Sequence, residues 1–96
     1  MSPLKKKKLK LVRKKLDKLD NYLIKIIKRR TLLVKQVLEL KEYKNEIVDK
    51  KRIMKILNTI KKKSIKNKID PKITKRIWFN MIYAYIDFER RNFKKK

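Results

Sequence analysis

The stretch LVRKKLDKLDNYLIKIIKRRTLLVKQVLELK, residues 11–41, decides the fold. Its apolar residues Val12, Leu16, Leu19, Leu23, Ile26, Ile27, Leu33, Val34, Val37 and Leu40 recur at helical spacing, and Leu9 carries the series one turn earlier. Side chains spaced in this way share one face of an α-helix. Neither Gly nor Pro interrupts residues 4–43, so one helix is expected over that whole span. At 1.5 Å per residue it would be about 60 Å long, roughly twice the diameter of a small domain. The two shorter helices downstream cannot cover a stripe of that length. A second copy of the chain is therefore expected to cover it, making a homodimer with a shared core.

Downstream, the periodicity fails around Tyr43-Lys44-Asn45-Glu46, which reads as a loop. Asp49 is placed to N-cap a second helix over about residues 50–67, with Ile53, Ile56, Leu57 and Ile60 facing inward. Asn67-Lys68 is a turn candidate. Asp70-Pro71 opens a third helix in the favoured order, a cap followed by Pro in the first turn. Its apolar face is Ile73, Ile77, Trp78, Met81, Ile82, Tyr85 and Phe88. Trp78, Phe79 and Tyr83 read as core or dimer contacts, not as a base-stacking platform. The expected fold class is all-α, with three helices per chain, one of them very long, in an intertwined homodimer. The chain reads as a single domain, 1–96, with Lys-rich tails at 5–8 and 94–96 that are expected to fray.

Composition excludes much of enzyme chemistry. The chain has no Cys, no His and no Gly. That removes thiol nucleophiles, His-based triads, the usual zinc sites and disulfides. It also removes phosphate loops and dinucleotide fingerprints, and no cofactor or metal is expected. Ser64 and Thr59 have no base near them in sequence, so neither is marked as a nucleophile. MSPLKKKKLKLV has charge but no apolar stretch behind it, so a secretory signal is not expected. The longest apolar run, MIYAYI at 81–86, is too short to span a bilayer. A cytoplasmic protein without a membrane partner is the expectation.

The net charge of +24 suggests a polyanion partner. However, Lys and Ile are abundant while Ala occurs once, and Arg supplies only seven of the 33 basic residues. Arg is the better reader of phosphates and bases. Compositional bias and solubility are therefore the preferred account of the charge, and no specific nucleic acid is expected.

Arg13, Arg30 and Lys41 stand apart from the other cations. On a continuous helix, Arg30 and Lys41 would fall within roughly 20° of one another and about 16 Å apart along the axis, within reach of one small ligand. Arg13 would be about 25 Å from Arg30 and turned by about 100°. It could reach that site only from a second chain. On pattern alone, three solvated cations on a Lys-rich helix is the simpler reading.

The same stretch resembles the first helix of the all-helical chorismate mutase family. The matching pattern is Arg13, then Asp17 or Asp20 in an LD pair, Leu-rich turns, Arg30, and Lys41 eleven residues on. IVDKKR (47–52) is similar to the family's Val-x-Asp-x-x-Arg at the start of its second helix. IDPKITKRIWFNMIYAYIDFE (69–89) is similar to its third. The resemblance covers about residues 9–90. It implies an intertwined dimer of three-helix subunits with two sites, each built from both chains, and a small dianion, chorismate, as substrate. Arg30 would hold one carboxylate and Arg13 of the partner chain the other. Lys41 would donate to the ether oxygen, while Asp49 and Arg52 would sit near the ring hydroxyl and a carboxylate. This chemistry suits the missing residue types, because a pericyclic rearrangement to prephenate needs no nucleophile and no metal. Cations can select the compact conformer and stabilise charge on the breaking C–O bond. Two Arg forks match two carboxylates bidentately.

Two positions depart from the family pattern. Ile53 stands where the family usually has Glu against the ring hydroxyl. The related isochorismate-pyruvate lyases, which yield salicylate and pyruvate, also lack that Glu. Val34-Lys35 and the Tyr85-Ile86 pair lean the same way, with Tyr85 where many mutases have Ser. Ordinary core drift is the competing account of Ile53. The second departure is Glu89, where many bacterial members have Gln donating to the ether oxygen and fungal-type members have Glu. An ionised carboxylate only accepts hydrogen bonds and would repel developing negative charge. Glu89 is therefore expected to work protonated, with activity favouring acidic pH. Two further readings stand beside the mutase: a lyase using the same clamp, and a basic helical nucleic-acid-binding protein.

Overall fold

A computed structural model describes residues 1–94. The fold is all-α: α1 spans Pro3–Leu40, a short 3₁₀ turn covers Lys44–Glu46, α2 spans Lys50–Lys66 and α3 spans Pro71–Asn92. There is no strand among the described residues. No described helix is long and apolar enough to cross a membrane. By its internal contacts the chain falls into two compact units, Met1–Leu33 and the part from Val34 onward.

The first unit is helical from Pro3 onward and contains no second element. Its apolar stripe has nothing within the unit to pack on. Val12, Leu16, Leu19, Leu23 and Ile26 are each more than half exposed. The helix runs through Lys5–Lys8, and Ser2 and Pro3 start it. Ser2 Oγ accepts from the Lys5 backbone N–H at 3.2 Å, and Pro3 occupies the first helical position. This is a cap-then-Pro start, which satisfies an otherwise orphan N–H. Lys94 lies beyond the end of α3, and the last two residues of the expected C-terminal tail lie outside the described residues.

The second unit has a small core of Leu38, Ile47, Ile82 and Ile86. Val48, Ile53, Ile56, Leu57 and Phe93 pack against it half-buried. α1 stops at Leu40, short of the expected Tyr43. The reason is local: the Lys41 N–H turns back to the Leu38 carbonyl at 3.1 Å, and the next two N–H groups leave the helical ladder for a side chain, that of Glu46. Ile47, 4% exposed, then draws the chain into the core.

α2 and α3 start as their caps direct. Asp49 Oδ1 accepts from the Arg52 N–H at 3.0 Å, and Asp70 Oδ1 accepts from the Lys72 N–H at 2.9 Å. Between them the chain needs a left-handed residue and has no Gly to supply it. Lys68 takes that conformation with φ 57°. The Ile69 N–H then reaches the Ser64 carbonyl at 2.8 Å and the Lys68 N–H reaches Ile65 at 3.1 Å, a Schellman closure of α2. Across the turn, the Ser64 and Thr74 hydroxyls lie 2.7 Å apart, both buried, and Ser64 Oγ also donates to the Ile60 carbonyl. These hydroxyls serve to join two helices. Of the expected inward face of α3, Ile82 is buried but Ile73 and Ile77 are about half exposed. The core forms only along the C-terminal half of that helix.

Candidate functional site

The buried stripe of α3 continues from Ile82 and Ile86 to Glu89. Steps of four and three residues keep all three on one helix face, so the carboxylate occupies a position that the helical period assigns to the core. Its counter-ion comes from the loop after α1. Lys41 Nζ donates to Glu89 Oε1 at 2.9 Å, with side-chain exposures of 17% and 8%. A carboxylate withdrawn this far from water requires a partner that is both charged and hydrogen-bonded.

The other residues of interest lie on each side of this pair. Tyr85, half-buried, precedes Glu89 by one turn and meets Phe88 edge-on, with ring centroids 6.4 Å apart. Asp49 and Arg52 open α2; both are exposed, and the Asp49 carboxylate is engaged as the helix cap. Ile53 sits half-buried against the core with no carboxylate at its position.

Arg13 and Arg30 belong to the Met1–Leu33 unit. Arg13 is exposed in an open depression with Lys6, Leu9, Lys10, Lys14 and Asp17. Arg30 is half-buried. Seventeen helical residues put their backbones about 25 Å apart, so the two cannot clamp one small molecule within a single copy. The structure thus brings Lys41 and Glu89 into contact and places Tyr85 one turn away. It also corrects one expectation: Lys41 is the first residue past α1, not a member of the helix, so extrapolating the helical angle from Arg30 to it overruns the element by one residue.

Glu46 is not singled out by the sequence pattern, in which residues 43–46 read only as a break in periodicity. The signal that marks it is Tyr43-x-x-Glu46, the spacing at which a Glu side chain returns to the backbone N–H at the start of a helical turn. The described residues contain no cluster of His, Cys, Asp or Glu able to hold a metal ion.

The arrangement sets one ammonium against one carboxyl group, both largely withdrawn from water. The family model for Chorismate mutase type II matches residues 12–90, from the residue before Arg13 to the residue after Glu89. No curated protein and no solved structure shows significant similarity to the chain.

Proposed function

Because the chain belongs to the chorismate mutase type II family, we propose that it converts chorismate to prephenate. The observation that carries this reading is the 2.9 Å Lys41–Glu89 pair, one member of which lies on a core stripe. A Lys and a carboxyl group held together out of water suit an ether oxygen that gathers negative charge as its C–O bond breaks. In this proposal Lys41 donates to that oxygen, and a protonated Glu89 donates beside it. Arg30 binds one carboxylate of the dianion and Arg13 of the partner subunit binds the other, each through a two-pronged fork. Asp49, Arg52 and Tyr85 border the ring. The chain acts as one domain, completed by a second copy that covers the apolar stripe of α1.

Ile53 favours a second reading. With no carboxylate there to meet the ring hydroxyl, the same clamp would suit isochorismate, eliminating pyruvate and leaving salicylate. One assay decides between them. Pure protein is incubated separately with chorismate and with isochorismate, in the absence of metal or cofactor. Loss of chorismate to prephenate is the expected result. Salicylate plus pyruvate from isochorismate would replace the mutase reading with the lyase. Inertness towards both, with steeply salt-dependent binding of DNA or RNA, would overturn both.

A further inference from the structure

Lys41 has a flexible four-carbon stem, so the position of its ammonium depends on how firmly its backbone is held. The helix cannot hold it, because α1 ends at Leu40. Just past Lys41 the chain folds into a small clamp. Glu46 Oε1 accepts from two successive backbone N–H groups, Glu42 at 3.2 Å and Tyr43 at 2.9 Å. The Glu46 N–H returns to the Tyr43 carbonyl at 3.0 Å, closing the turn on itself. Both ends of this clamp are pinned to the core. On one side Ile47 is 4% exposed; on the other the Lys41 N–H holds the carbonyl of Leu38, itself 9% exposed.

Packing does not account for Glu at position 46, since its side chain is exposed. Solvation does not account for it either, since water can satisfy N–H groups in an exposed loop. A carboxylate accepting two backbone N–H groups makes charge-assisted bonds, roughly twice as strong as neutral ones. In a chain with nine acidic residues against 33 basic ones, this carboxylate bonds the two backbone groups immediately after Lys41.

We propose that Glu46 is a positioning residue: by gripping the Glu42 and Tyr43 amides it fixes the exit of the chain from α1 and so holds the Lys41 ammonium against Glu89. The kinetic part of this proposal rests on the reading of Lys41 as the donor to the ether oxygen. Misplacing such a donor by about 1 Å is enough to cost on the order of a hundredfold in rate.

The test uses the full chain and two readouts. The first is the ¹⁵N signal of the Lys41 ammonium, slowed in proton exchange by its Glu89 contact and assigned by its loss in Lys41→Met. The second is steady-state kinetics on chorismate and isochorismate. In Glu46→Ala the Lys41 signal should move to that of a freely exchanging surface Lys, and kcat should fall about tenfold or more with KM changed far less. Glu46→Gln keeps an acceptor oxygen in place and should recover most of both. An unchanged Lys41 signal in Glu46→Ala overturns the proposal. So does a released Lys41 with unchanged kcat, or a Gln variant no better than Ala. If the wild-type chain turns over neither substrate while Glu46→Ala still frees Lys41, the proposed function fails and the clamp stands.

Discussion

Glu89 carries a carboxylate where the period of α3 calls for another Ile, and its ion pair with Lys41 is what makes that position tolerable. As an ionised group it can only accept. Glu89→Gln can donate through its amide and should keep turnover, whereas Glu89→Ala can neither donate nor pair with Lys41 and should lose most of it. Steady-state kinetics of the two variants check this, and full activity in Glu89→Ala would refute a role for the side chain at this position. Lys68 is the other residue under local constraint. With φ 57° it bears the steric cost of a left-handed conformation, about 1–2 kcal/mol, which Gly avoids. Gly in turn loses more chain entropy on folding, about 0.5–1 kcal/mol. The difference leaves Lys68→Gly about 0.5–1 kcal/mol more stable. Denaturant unfolding of the two proteins measures it, and a destabilised Gly variant would contradict the Schellman account of that turn.

Among the elements, α2 shows how one side chain can serve structure and ligand together. Asp49 caps the helix through the Arg52 N–H at 3.0 Å, and it is also a candidate neighbour of the substrate ring. The two roles separate by substitution. Asp49→Asn keeps a good capping oxygen and loses the charge, whereas Asp49→Ala loses both. Thermal unfolding should show Asp49→Ala less stable by about 1 kcal/mol and Asp49→Asn nearly unchanged. If Asp49 meets substrate, both variants should lose turnover. Full activity in Asp49→Asn would confine the residue to capping. The caps at Asp49 and Asp70 were legible in the sequence, because Asp just before a helical period, with or without Pro, has one physical meaning. The end of α1 was not. Periodicity alone cannot register that Glu46 competes for the amides of residues 42 and 43.

For the whole molecule, the decisive feature is an apolar stripe on α1 that finds no partner within its own unit, with Leu16 and Leu23 both 53% exposed. A second copy would cover it and would bring Arg13 to a site holding Arg30 of the first. Arg13→Ala and Arg30→Ala should each be nearly inactive alone. Mixed in equal amounts and allowed to exchange subunits, half of the dimers are hybrids, and each hybrid retains one intact site of two. About a quarter of wild-type activity should return. Proven exchange without rescue would refute a shared site.

The helical period, the caps and the ordered Arg, Lys and Asp spacings determined, from the sequence alone, the helical fold, its three elements and the family. The period and the caps are local properties, carried by residues one to four positions apart, and the spacings of eleven and seventeen residues between the cations are read directly along the chain. Only the tertiary structure decided that Glu89 is buried and paired with Lys41, and that Ile47 is drawn into the core. Those outcomes depend on contacts across 48 residues of chain, between Lys41 and Glu89, and on which apolar side chains win the small core. No local pattern records that competition, because it is settled by packing.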